Sequence, residues 1–112
     1  MNASEVIEHL NLKVFARGKD PVRTISGGYV SDLLSDVIAH GRKDQLWVTL
    51  QVHPNIVAVA VLKDLAAIIL VNGRQPAPET VEQAEQKYVA LYGTPLSAFD
   101  LVGQLYGLGL KG

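Results

Sequence analysis

Four short polar stretches hold the residues best suited to meet a small molecule. Ser26-Gly27-Gly28, Gln51-Val52-His53-Pro54, Asn72-Gly73-Arg74 and Gly93-Thr94-Pro95 each follow an apolar run and precede the start of a helical pattern. If the runs are parallel strands, these loops gather at the carboxyl ends of the sheet, where open α/β folds bind ligands. Helix amino ends add unpaired N–H groups and partial positive charge, which suits an anion. Gly27-Gly28 lets a phosphate approach the backbone, although a tight turn requiring positive φ explains the pair as well. The pair lacks the lysine and hydroxyl of a P-loop and is not a full GxGxxG. His53 can donate a hydrogen bond or titrate near neutrality, with a solvated loop histidine as the plainer alternative. Arg74 offers a planar fork to a phosphate or carboxylate, or serves in a turn or an interface. The expected lining is Gly27, Gly28, His53, Asn72, Gly73, Arg74 and Thr94. The expected ligand is a small anionic metabolite such as a nucleotide.

Catalytic chemistry has much less support in the residues. His9, His40 and His53 show no metal-ligand spacing, and no carboxylate is placed to orient them. Asp32 and Asp36 lie four apart on one helix face, a spacing typical of a solvated surface. Lys63-Asp64 interrupts two apolar runs and reads as a helix end with a surface lysine. There is no Ser-His-Asp order, nucleophile elbow or metal motif, and the absence of cysteine removes thiolate chemistry and disulfides. The expectation is therefore a non-catalytic module without cofactor or metal.

The elements that must position these loops alternate along the chain. Apolar, β-branched runs at Lys13-Ala16, Val22-Ile25, Leu46-Gln51, Ala67-Val71 and Val89-Tyr92 read as strands, mostly covered on both faces. Ser31 reads as the cap of a helix with Leu33, Leu34, Val37 and Ile38 on one stripe, ended by Gly41. Pro78, Glu79 and Glu82 begin a second helix with acids at its positive end. Ser97 caps a third, with Leu101, Val102, Leu105 and Tyr106 at helical spacing. Val6, Ile7 and Leu10 suggest a short first helix. Asn55 to Leu65 is valine-rich and by propensity a strand. It is better read as a helix, because flanking parallel strands need a crossover of about a dozen residues. The pattern predicts an α/β fold with a mostly parallel sheet and helices on both faces.

Composition sets the outer bounds. A chain of 112 residues, 48% hydrophobic and 19% charged, fits a single domain over residues 1–112 with a compact core. The formal net charge of −1 has no basic footprint for nucleic acid and no polybasic membrane patch. The start carries Glu5, Glu8 and His9 in place of a signal peptide, and the longest apolar run, Ile56 to Leu62, is too short to span a bilayer. The expected location is the cytoplasm. A small domain without disulfides relies on its core or on oligomerisation. An assembly domain without a ligand, docking on an enzyme subunit through an apolar surface, is the alternative function. Tyr88, Tyr92, Tyr106 and the tail Gly107-Leu108-Gly109-Leu110 motivate it.

The stretches Ser26-Gly27-Gly28-Tyr29-Val30-Ser31-Asp32-Leu33-Leu34-Ser35-Asp36-Val37, His53-Pro54-Asn55-Ile56-Val57-Ala58-Val59-Ala60 and Ile69-Leu70-Val71-Asn72-Gly73-Arg74-Gln75-Pro76 resemble the DRTGG domain family. The likeness is strongest to its short stand-alone members, labelled HPr serine kinase-like regulators, and covers about Thr24 to the end. It implies an α/β fold similar to the amino-terminal domain of HPr kinase, a crossover helix at Asn55, a regulatory role beside a protein partner, and a homodimer. The chain departs from the family's namesake loops. Val52-His53-Pro54-Asn55 stands where the family has Gly-Asp-Arg-Thr, and Arg74 follows Gly73 where a second glycine is usual. A ligand must therefore be held differently from the family's pattern. The kinase label itself has no support, because the P-loop and catalytic residues of HPr kinase lie in a separate domain.

Overall fold

A computed structural model describes all residues from Met1 to Gly112. Its elements are α1 (Ala3–Leu10), β1 (Lys13–Arg17), β2 (Gly27–Val30), α2 (Leu34–His40), β3 (Gln45–Thr49), α3 (Asn55–Lys63), β4 (Ala67–Leu70), α4 (Pro78–Lys87), β5 (Ala90–Gly93) and α5 (Ala98–Gly107). The five strands form one sheet in the order β1-β5-β4-β3-β2. β2 through β5 run parallel, and β1 closes one side antiparallel to β5. The fold is α/β, as the alternation of the sequence predicts.

The period-2 geometry of the strands divides the apolar residues between two layers. Leu46, Val48, Ile69 and Tyr92 point to one face and pack with Val6 of α1 and Leu101 and Leu105 of α5. Trp47, Ile68, Leu70 and Leu91 point to the other, against Val37 of α2, Ile56 of α3 and Ala84 of α4. Burial on both faces is why β3, β4 and β5 are continuous apolar runs.

Local signals account for most helix ends. Asn2 caps α1 reciprocally with Glu5: the Glu5 N–H donates to Asn2 Oδ1 at 2.9 Å, and the Asn2 N–H donates to Glu5 Oε1 at 3.0 Å. Ser97 accepts from the Asp100 N–H at 3.2 Å at the start of α5. The valine-rich segment is the crossover helix α3. Its interior residues Ile56, Val57, Val59 and Ala60 are buried, while Val61 and Leu62 are exposed.

Two sequence expectations shift. Val22–Ile25 is not a strand; its one ladder contact is the bridge from Asn2 to Thr24. The strand lies at Gly27–Val30, in register with Gln45–Val48. Propensity favours Val and Ile over a glycine pair, but tertiary pairing overrides it. The carboxyl-terminal tail crosses this edge: the Gly28 N–H donates to the Lys111 carbonyl at 3.0 Å, and any Cβ on Gly27 would collide with that same oxygen. Ser31 likewise does not cap α2. Its hydroxyl turns to Leu33, and the helix begins at Leu34 with no side-chain cap. Gly41 ends α2 in an extended conformation, φ −63°. No helix is long and apolar enough to cross a membrane.

Candidate functional site

The parallel strands end on one edge, and the loops there are stitched to one another by main-chain and side-chain bonds. From the β2–α2 loop, Asp32 Oδ1 accepts from Thr49 Oγ1 and from the Leu50 N–H, both at 2.8 Å, and Gln51 Nε2 donates to the Asp32 carbonyl at 2.8 Å. The Val52 carbonyl accepts from the Ala77 N–H and from Thr80 Oγ1 at 2.6 Å, which joins the β3–α3 loop to α4. Asn72 and Gly73 sit at φ 58° and 65°. With Arg74 N–H donating to the Val71 carbonyl, they form the tight turn for which Asn-Gly is favoured.

Five of the seven expected lining residues share this edge: His53, Asn72, Gly73, Arg74 and Thr94. His53, Asn72, Gly73 and Arg74 are exposed, and Arg74 forms no ion pair. The backbone donors are already engaged. The Asn72 N–H goes to the Leu96 carbonyl at 2.8 Å and the Gly73 N–H to the Thr94 carbonyl at 2.9 Å. Thr94 is buried, with its hydroxyl accepting from the Leu96 N–H. Gly27 and Gly28 are not part of this edge. They begin β2, opposite Gln45 and Leu46 at the start of β3, and so belong to the amino edge of the sheet. Their misplacement follows from the misplaced strand: moving β2 five residues along the chain carries the glycines from its carboxyl end to its amino end.

A groove of about 960 Å³ opens on that amino edge, between the β1–β2 loop and the turns that lead into β3, β4 and β5. Arg23 crosses it. Its Nε donates to Asp44 Oδ1 at 2.6 Å and its Nη2 to Asp64 Oδ1 at 2.9 Å. Partial burial works against the guanidinium's charge, but the hydrogen bonds to Asp44 and Asp64 outweigh it and raise the pKa above the ordinary arginine value. Around this tie stand Arg17, Lys19, Lys43 and Lys87. Sequence reading passed over them because they do not follow the carboxyl end of any parallel strand. The available signal was Arg17-Gly18-Lys19, two cations flanking a glycine.

A second polar cluster lies beside α2. The Tyr29 hydroxyl donates to Asp36 at 2.9 Å, and His40 approaches the same carboxylate at 3.9 Å. Hydrogen bonds from Ser31 and Tyr29 hold the Asp36 carboxyl below the usual range, and the bond to Asp36 raises the Tyr29 phenol. Burial raises Tyr92. No group of three or more His, Asp or Glu side chains is placed to hold a metal, and every buried side-chain polar atom has a partner.

The architecture defines an α/β domain with a mostly parallel five-stranded sheet. No family model matches the chain, and no curated protein matches its sequence. Among solved structures, it is similar to the CBS and DRTGG domains of the regulatory region of Clostridium perfringens pyrophosphatase, complexed with its activator diadenosine tetraphosphate. The TM-score is 0.72 at 14% identity, and the match covers 98% of this chain and 47% of that one. The chain thus spans about half the length of that structure and has a DRTGG-like fold.

Proposed function

We propose that this chain is a regulatory, ligand-sensing module that binds a small anionic metabolite and passes its occupancy to a protein partner, without catalysing a reaction itself. The supporting observation is the shared fold over nearly the whole chain with a regulatory region that is complexed with a nucleotide activator. On the carboxyl edge, the lining proposed from the sequence narrows to His53, Asn72, Gly73, Arg74 and Thr94. Arg74, exposed and unpaired, is the residue there that meets an anion.

A thermal-shift panel on the purified chain tests the reading, with adenine and guanine nucleotides, dinucleoside polyphosphates, acetyl-CoA, acetyl phosphate and sugar phosphates. A ligand at a hundred times its Kd stabilises the folded state by about 2.7 kcal/mol. For a domain of this size that raises Tm by on the order of ten degrees. A hit supports sensing, and a flat panel removes it.

One feature favours a second reading, an assembly domain. Val30, Phe99, Val102 and Tyr106 form an apolar groove beside β2, with Phe99 79% and Tyr106 58% exposed. β2 is also the last strand of the sheet, and beyond the tail contact at Gly28 its edge has no strand partner, which invites pairing. Under this reading the chain is a homodimer, or docks on an enzyme subunit, through that side. Light scattering that finds a monomer at micromolar concentration removes the homodimer.

A further inference from the structure

We infer that the amino-edge groove is a binding site for a nucleoside polyphosphate, with the phosphates held by Arg17, Lys19 and Lys87 and the base stacked on Tyr88. The site is distinct from the carboxyl-edge lining proposed above. The inference goes beyond the ligand-sensing reading and adds a second site to it.

Three observations converge. The groove is built to a ligand's scale: its volume of about 960 Å³ lies at the upper end of the ~300–1,000 Å³ usual for small-molecule sites. Its floor is apolar and firm, formed by the buried Ala60, Leu65, Ala66, Val89 and Ala90. Four separate segments wall it, so a ligand there touches the β1–β2 loop and the turns into β3, β4 and β5 at once.

The charge is also local. Five cations and three carboxylates line the groove, a balance of +2 in a chain whose formal net charge is −1. Arg23 is committed to Asp44 and Asp64, and Lys43 lies 3.8 Å from Asp64. Asp20 turns its carboxylate onto the Val22 N–H at 3.1 Å. Arg17, Lys19 and Lys87 remain exposed and without an ion-pair partner. Gly18 holds two of them in place. At φ 74°, with Ala90 only 2.9 Å from where a Cβ would stand, it lets the Arg17-Gly18-Lys19 turn lie directly on the start of β5. Three free cations around one concavity match the charge of a polyphosphate.

The third observation is Tyr88. A large aromatic residue would normally be buried, yet Tyr88 is 68% exposed. It adopts φ 56° at the end of α4, a conformation uncommon for bulky side chains. It lines the main groove and also a smaller one of about 370 Å³ that shares Arg17 and Gly18. Tyr88 and Arg17 therefore line both grooves. An open aromatic face next to free cations suits a base joined to phosphates, since stacking accepts any base and the cations take the charge.

Calorimetric titration of the full chain with ATP and with inorganic tripolyphosphate tests the assignment. Both probes are expected to bind, more weakly as ionic strength rises. Arg17→Ala combined with Lys19→Ala is expected to weaken both by roughly tenfold or more. Tyr88→Asn keeps a residue that tolerates the left-handed backbone. It is expected to weaken ATP by roughly tenfold and leave tripolyphosphate unchanged, because only the stacked base is lost. The assignment is overturned if wild type binds neither probe at millimolar concentration, or if both bind undiminished after the Arg17 and Lys19 substitutions. Binding lost with Arg74→Ala alone overturns the groove but keeps the sensing function. A chain that also fails the wider thermal-shift panel loses both.

Discussion

Arg23 reaches across the amino edge to Asp64, whose carboxylate and main-chain carbonyl both accept from its Nη2, at 2.9 and 2.5 Å. Asp64 ends α3 in the left-handed conformation, φ 52°, and Asp44, the second partner of Arg23, precedes β3 at φ 69°. One guanidinium thus fastens the β1–β2 loop to two turns of unfavourable backbone. Arg23→Ala is expected to destabilise the fold by about 1–2 kcal/mol, below the full value of a charge-assisted pair because Asp64 is more than half exposed. Urea unfolding measures it. Arg23→Lys should recover little, since a lysine cannot serve both carboxylates with a planar fork.

Trp47 is the sole tryptophan. It is fully buried, and its Nε1 donates to the Ser31 carbonyl at 2.8 Å. Its fluorescence should be blue-shifted and resistant to acrylamide in the folded protein, and both properties should be lost across the unfolding transition. Trp47→Phe should cost roughly 2–4 kcal/mol, from the cavity and from the carbonyl left unpaired. Red-shifted, quenchable emission from the native protein would contradict the packing of this layer.

Gly27 has a structural task on the β2 edge. Gly27→Ala is expected to displace the tail at Lys111, at about 1–3 kcal/mol, because the opposing atom is a backbone oxygen and cannot rotate away. Hydrogen exchange at the Gly28 amide, which donates to that oxygen, should accelerate. Gly73→Ala is the contrasting case. Nothing lies within 4 Å of its Cβ position, so its cost of about 1 kcal/mol comes from φ 65° alone and leaves the tail protected.

Asp36 should titrate below the ordinary aspartate range, since Ser31 and Tyr29 hydrogen bonds favour its charged form. A depressed folded pKa means that its stabilisation is present above the unfolded value, about 3.9, and fades as pH falls through the folded one. Tyr29→Phe should move the Asp36 titration upward, read by carboxyl NMR; an unchanged titration would remove the phenol as a cause. Tyr92 behaves in the opposite sense. Burial raises its pKa, so its contribution is complete below about 10 and is lost at higher pH.

Much of the architecture was legible in residue pattern. The runs at Lys13, Leu46, Ala67 and Val89 each became a strand, and the need for a crossover made a helix of the valine-rich Asn55 segment against its propensity. Ser97 caps as a serine before an apolar repeat should. Val22–Ile25 failed as a strand because local propensity does not register a partner: β2 is chosen by its pairing with β3 and by the tail that crosses it, more than 80 residues away in sequence. Of the expected lining, His53, Asn72, Gly73, Arg74 and Thr94 share an edge because they follow strands the sequence placed well. Gly27 and Gly28 went to the other edge with their strand.

The sequence by itself determined the alternation of elements, the parallel sheet and the loops at its carboxyl edge, because each depends on periodicity and on residues near in chain. Only the tertiary structure decided that Gly27-Gly28 is a tail contact, that Asn72 and Gly73 spend their N–H groups on neighbouring loops, and that Arg17, Lys19, Lys87 and Tyr88 surround one groove. Those relations join residues tens of positions apart, and only the packing of the sheet brings them together.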